Sequence, residues 1–284
     1  MKIVRFGSVG QERPGVVDGS GVIRDVSSAV ADWTGAQLVP GELARVARLD
    51  LSRLPVVNDR VRLGVPVKGV GKFIAIGLNF TDHAIEAKRP IPTEPVVFTK
   101  AVSCLTGPHD AVVLPKGSTK SDWEVELGVV IGSTARYVEK RDALSHVAGY
   151  VLVDDVSERE YQNERGGTWD KGKGCDTFGP VGPWLVTGDE IGDPQDIDLW
   201  LEVNGVRYQN GNSRNMIFPV SELVSYVSAF MTLEPGDILT TGTPAGVGLG
   251  IKPNPIYLKA GDLMRLGSSK LGTQEHRVEA WSRS

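Results

Sequence analysis

The feature that most limits how this chain can fold is its punctuation: apolar runs stay short, and turn-forming residues separate nearly all of them. There are 34 Gly and 17 Pro in 284 residues, and these residues set tight turns rather than extend helices. From Lys72 onward the runs 73–76, 96–99, 111–114, 123–131, 149–153, 184–186, 199–203, 238–241 and 263–266 read as strands. Only 220–231 reads clearly as a helix, because Val220, Leu223, Val224, Val227, Phe230 and Met231 follow a helical period and so form a core face. Lys2–Phe6 alternates as a strand, 15–18 and 22–26 form a hairpin across Gly19-Ser20-Gly21, and a short helix fits 42–49. The expectation is a mainly β, α+β chain with a few packed helices, a distorted barrel or sandwich. A small N-terminal β-rich domain would span 1–70 and a larger domain 71–284.

A formal net charge of −4 gives no basic footprint, which argues against nucleic acid or an anionic membrane as partner. Cys104 and Cys175 lie far apart with no nearby thiol partner, so reduced cysteines in a cytoplasmic protein are expected and a thiolate metal site is not. The first residues lack the apolar core of a signal peptide, and no apolar run reaches bilayer length.

Chemistry concentrates in four segments. In Asp122-Trp123-Glu124-Val125-Glu126-Leu127 an extended strand would put Asp122, Glu124 and Glu126 on one face. Such a face is either solvated or offset by a cation, because like charges packed together repel. Asp154 and Asp155 end an apolar strand; one of them could add a third oxygen ligand, and an all-carboxylate set selects a hard cation such as Mg²⁺, Mn²⁺ or Ca²⁺. In the second segment Thr81 or Asp82 could cap a short helix bearing His83 and Glu86 three positions apart, as a surface pair or as an oriented general base. Third, Lys173 lies between Gly172 and Gly174, free to reach an oxyanion. Fourth, the Gly-rich loop 240–250 could offer backbone N–H groups and a threonine hydroxyl to an anion.

Taken together these segments resemble the fumarylacetoacetate hydrolase family over about 71–281. The resemblance places its Glu-x-Glu metal pair on Glu124 and Glu126 and its aspartate ligand on Asp155 rather than Asp154. It places the His-x-x-Glu dyad on His83 and Glu86, the catalytic lysine on Lys173, and substrate-binding residues on Arg159, Gln162 and Thr243. It implies a mixed β-roll, a homodimer, Mg²⁺ or Mn²⁺, and a small-molecule 2-oxo acid substrate. Tyrosines and an arginine that bind substrate in the longer fumarylacetoacetases have no counterpart. The chain looks most like bacterial enzymes of sugar-acid breakdown that hydrolyse 2,4-diketo-3-deoxy-L-rhamnonate or L-fuconate to pyruvate and lactate. The reaction so implied is hydrolysis of a C–C bond next to a ketone. Oxaloacetate decarboxylation, acylpyruvate hydrolysis and isomerisation or hydration of unsaturated 2-oxo acids are the enzymatic alternatives, and a metal-stabilised binding protein is the non-enzymatic one. The loops around 84–95 and 205–216 are expected to line the pocket.

Overall fold

The computed structural model of the protein describes residues 1–283. At its centre lies a 10-stranded sheet in the order Ile23–Asp25, Arg13–Val17, Lys2–Phe6, Leu185–Thr187, Val147–Asp154, Val125–Ile131, Ile238–Thr240, Phe73–Gly77 and Val96–Lys100, with Leu63–Gly64 paired to the side of Lys2–Phe6. Its two middle strands, VELGVVI and VAGYVLVD, are buried almost end to end, as strands covered on both faces must be. A 5-stranded sheet orders Val206–Asn212, Asp198–Val203, Leu263–Ser268, Gly272–Ala280 and Val112–Leu114. Contacts of Val125–Ile131 with Asp198–Val203, and of Val147–Asp154 with Leu263–Ser268, join the two sheets. Leu127, Val129, Val151, Leu199, Leu201 and Leu266 belong to the shared core.

This is the mainly β architecture that the turn-rich sequence implies. The first sheet continues across residue 70, since Lys2–Phe6 pairs with Leu185–Thr187 on one side and Arg13–Val17 on the other. An ionic network runs along the same junction: Arg62 bonds Asp110 through Nε at 2.7 Å and Glu12 through Nη1 at 3.0 Å.

Several local expectations need correction. The helix expected over 220–231 ends sooner, as Val220–Ser228, and Phe230 is exposed rather than part of its core face. The helix expected over 42–49 is Pro40–Val46, with proline at its start where no N–H is needed. Two strands give no apolar signal in sequence. Val206–Asn212 is a largely polar edge, and Gly272–Ala280 turns Gln274, His276 and Val278 inward, so the core side of its alternation is mostly polar.

Candidate active site

Strand register assembles the carboxylates. Val125 stands opposite Asp154 in the antiparallel pair, and one step further the Asp155 N–H donates to the Glu124 carbonyl at 2.9 Å. Directly opposed residues share a face and alternate residues return to it. Glu124, Glu126 and Asp155 therefore converge, and one oxygen from each lies within 4.8 Å of the others. Asp154 falls on the other side, where its Oδ1 accepts from the Glu124 N–H at 3.0 Å. Glu126 is fixed by the Thr240 hydroxyl and by the Gly242 N–H at 2.8 Å, both donating to Oε2.

Buried cations interleave with these acids. Lys173, on the short helix Asp170–Lys173, donates through Nζ to Glu124 Oε2 at 2.7 Å and Asp155 Oδ2 at 2.6 Å. Gly172 permits this approach, because a Cβ there would lie 2.6 Å from the Gln162 N and the Glu158 O. Arg159 and Gln162 lie three apart on the helix Arg159–Asn163, hence on one face. The Arg159 guanidinium reaches Asp122 at 2.8 Å, Glu124 at 2.7 Å and the Gln162 Oε1 at 3.0 Å.

His83 and Glu86 lie on the helix Thr81–Glu86, whose N-cap is Phe80 with no side-chain cap, so the expected Thr81 or Asp82 cap does not form. His83 Nδ1 lies 3.1 Å from Glu86 Oε2, and the Gly246 N–H donates to Glu86 Oε1 at 2.9 Å. With a carboxylate as partner, Nδ1 takes the donor role and Nε2 keeps a lone pair. Every site residue expected from sequence except Asp155 lines one cavity of about 660 Å³, and Asp155 lies immediately behind it under Lys100 and Lys173. Thr243 lines the cavity, but its hydroxyl donates to the Val125 carbonyl at 2.9 Å and accepts from Gln209 Nε2 at 2.7 Å. Of the two loops expected around the pocket, 84–95 contributes Glu86 to Arg89 while 205–216 contributes nothing, being mostly the strand Val206–Asn212.

The profile of the fumarylacetoacetate (FAA) hydrolase C-terminal domain matches residues 72–279. The chain belongs to the fumarylacetoacetate hydrolase family. A Burkholderia lata protein provisionally designated a hydrolase is 59% identical over 281 residues, covering 99% of this chain and 100% of the relative. The crystal structure of maleylpyruvate hydrolase from Sphingobium sp. SYK-6, in complex with manganese(II) and pyruvate, matches at TM-score 0.83 and 31% identity, covering 99% of this chain and 100% of that one. A probable 2-hydroxyhepta-2,4-diene-1,7-dioate isomerase from Mycobacterium abscessus matches at TM-score 0.84 and 33% identity, with 100% of both chains covered.

The electrostatics of this family member fit a divalent cation. Burial, then the charges of Asp155 and Glu124, push the Glu126 carboxyl well above its ordinary value. Burial acts upward on Glu124 too, but Lys173 and Arg159 overcome it and hold that carboxylate well below the usual range. Burial lowers Lys173, yet Asp155 and Glu124 outweigh it and keep the ammonium charged. Burial likewise lifts Asp154 to about 7, partly offset by the Glu124 N–H. A buried all-oxygen set in which one acid is destabilised by its neighbours suits a hard divalent ion, whose charge would relieve that repulsion.

Lys100 and Trp169 escape sequence reasoning at this site, whereas Asp122 is visible in the acidic run and only its bonding partners are not. Lys100, fully buried, holds Asp155 Oδ1 at 2.6 Å and also donates to the Lys173 carbonyl. Asp122 shares the acidic run but lies outside the convergent trio. It accepts from Arg159, from the Gly248 N–H at 2.7 Å and from the Leu249 N–H at 3.0 Å, so it ties the Gly-rich loop to the site arginine. Trp169 forms a cavity wall against Phe98, ring centroids 5.3 Å apart and edge-on.

Proposed function

We propose that this protein is a metal-dependent hydrolase that cleaves a C–C bond of a 2,4-dioxo acid and releases pyruvate. The observation that carries this reading is the position of the His83–Glu86 dyad on the same cavity as Glu124, Glu126 and Lys173, with Asp155 immediately behind them. Glu124, Glu126 and Asp155 would hold Mg²⁺ or Mn²⁺, and the chemistry such an ion supplies when bound is Lewis-acid polarisation of the 2-oxo acid.

The chain's own residues do the rest. His83 Nε2 takes a proton from water, and the resulting hydroxide adds to the C4 carbonyl. Lys173 has three N–H groups and spends two on Glu124 and Asp155; the third meets the C4 oxyanion. Collapse breaks the C3–C4 bond, frees the acyl group as a carboxylic acid, and C3 recovers a proton from His83 to become the pyruvate methyl. Arg159 and the free amide nitrogen of Gln162 orient the substrate carboxylate. Thr243 acts through the backbone it anchors, since its proton is committed to Val125. The 2,4-diketo-3-deoxy sugar acids suggested by the sequence belong to this substrate class, as do acylpyruvates with a charged acyl end.

His83→Ala tests the reading. It should lower pyruvate release from 2,4-dioxo acids by about 10²–10⁴-fold while sparing any oxaloacetate decarboxylation, which needs no activated water. Equal activity of variant and parent on dioxo acids would remove His83 as the base.

A further inference from the structure

Two acids and one aromatic ring surround the ammonium of Lys173. Its Nζ donates to Glu124 and Asp155, and the same nitrogen lies over the Phe98 ring, 5.2 Å from the centroid. An aromatic face attracts a cation within about 6 Å, more strongly where water is excluded, and Lys173 is buried. Asp155 lies behind the cavity while Phe98 lines it, so the carboxylate pulls the ammonium back and the ring pulls it toward the cavity. The ring suits this task better than the alternatives. A third carboxylate would commit the last N–H, and an aliphatic side chain would leave that N–H buried without a partner. An aromatic face attracts the charge without fixing where the N–H points.

The strand that carries this ring also orders the lysine helix. Val96–Lys100 is the last strand of the large sheet and pairs only with Phe73–Gly77, with Phe98 opposite Ala75. Alternation puts Val96, Phe98 and Lys100 on one face. Val96 and Phe98 line the cavity, and Lys100 donates to the Lys173 carbonyl and, at 2.6 Å, to Asp155. Thr99 reaches the first residue of the lysine helix, its Oγ1 donating to Asp170 Oδ1 at 2.8 Å. Trp169 precedes that helix, and its carbonyl accepts the Gly172 N–H at 2.9 Å and the Lys173 N–H at 3.2 Å. Its indole packs edge-on against Phe98 and rests on bare backbone, since a Cβ at Gly77 would lie 2.4 Å from Trp169 Cζ3. Phe98, Thr99 and Lys100 thus hold the helix in turn, and of the three only Phe98 meets the ammonium.

We infer that Phe98 is a positioning residue for Lys173: its ring face holds the ammonium on the cavity side of the carboxylates, where one N–H can meet an oxyanion forming on the substrate. This deepens the hydrolase reading and rests on it for the role of Lys173. Phe98 bonds to no reacting atom. The oxyanion exists only in the transition state, so loss of the ring's pull lowers kcat and leaves KM in place.

The test replaces Phe98 with mono-, di- and trifluorinated phenylalanines, which keep the ring's shape while each fluorine weakens its negative face. In the Mn²⁺-loaded protein, kcat for pyruvate release from an acylpyruvate should fall stepwise, by about 2–30-fold over the series, with KM unchanged. A ring that only fills space gives a flat kcat; that result, or a loss confined to KM, would overturn the inference. A second readout needs no turnover. In metal-free protein carrying carbon-13-labelled lysine, the Lys173 ε-methylene protons, assigned by their loss in Lys173→Met, should be shifted upfield by the ring and should move back in Phe98→Leu. Methylene protons with no such shift would also overturn it. A protein with the shift that releases no pyruvate from any 2,4-dioxo acid keeps the placement of Lys173 by Phe98 and loses the hydrolase reading. One that releases pyruvate with a flat kcat across the series does the reverse.

Discussion

Two of the three convergent carboxylates should respond in opposite ways to loss of their charge, although either loss removes a proposed metal ligand. Asp155 is 1% exposed and accepts from two buried ammonium groups, Lys100 and Lys173, each at 2.6 Å. In Asp155→Asn one of those contacts becomes donor against donor. Lys173 keeps Glu124, but Lys100 has only the carbonyls of Val156 and Lys173 to fall back on. Removing one partner of a buried ion pair costs about 3–5 kcal/mol, so the metal-free variant should lose that much unfolding free energy. Glu126 sits in the opposite situation: burial and its two acidic neighbours already favour its protonated form. An acid with a raised native pKa binds more protons folded than unfolded, so the stability present at acid pH is lost as pH rises through the native value. Glu126→Gln imitates the protonated acid and keeps an oxygen for Thr240 and Gly242. It should match the parent near pH 4 and equal or exceed its stability at pH 7.5, both in EDTA. Urea unfolding followed by tryptophan fluorescence gives the free energies, and Mn²⁺ paramagnetic resonance should show weakened binding in both variants. An Asp155→Asn protein as stable as its parent, or a Glu126→Gln protein destabilised to the same degree, would refute this account of how the site's charges are balanced.

Other consequences are smaller in scope. Glu86→Gln removes the carboxylate that orients His83 and should lower kcat by about 10–100-fold with little change in KM; an unchanged kcat would separate the dyad from catalysis. Gly246→Ala should cost about 2–4 kcal/mol in thermal or urea unfolding, because position 246 has φ 109° and a Cβ there would lie 2.0 Å from the Tyr208 carbonyl oxygen. Burial pushes the Cys104 thiol up to about 11, so iodoacetamide at pH 8 should label it only after unfolding, and rapid labelling of the native protein would contradict its burial.

The parts of the site that depend on local period are legible in the sequence. Alternation puts Glu124 and Glu126 on one face, and a helical step puts His83 beside Glu86, without knowledge of the rest of the chain. Asp155 is a harder case, because choosing it over Asp154 requires the register of two strands joined through 132–146, and only the family resemblance supplies that. Lys100 reads as an ordinary lysine at the end of a strand, since its burial follows from the closure of the Lys173 helix over it. Asp122 matches the spacing of its neighbours but bonds out of their group, because the strand is interrupted between Ser121–Asp122 and Val125–Ile131. Gly272–Ala280 is hidden for a related reason: Gln274 and His276 fill its inward positions with polar groups satisfied by Leu152, Gly182 and Asp110 backbone carbonyls. Polar residues buried through long-range hydrogen bonds leave no apolar pattern to read.

In the proposed reaction a water activated by His83 cleaves a 2,4-dioxo acid in the cavity lined by Glu124 and Glu126, with Asp155 behind them. Turnover of an acylpyruvate in oxygen-18 water with Mn²⁺ tests it most directly, because hydrolysis must place the oxygen of that water in the new carboxylate. The account predicts pyruvate and acid co-product in equal amounts, with one labelled oxygen from water in each co-product carboxylate. Carbon dioxide in place of the acid, or an isomerised product with the C–C bond intact, would contradict it.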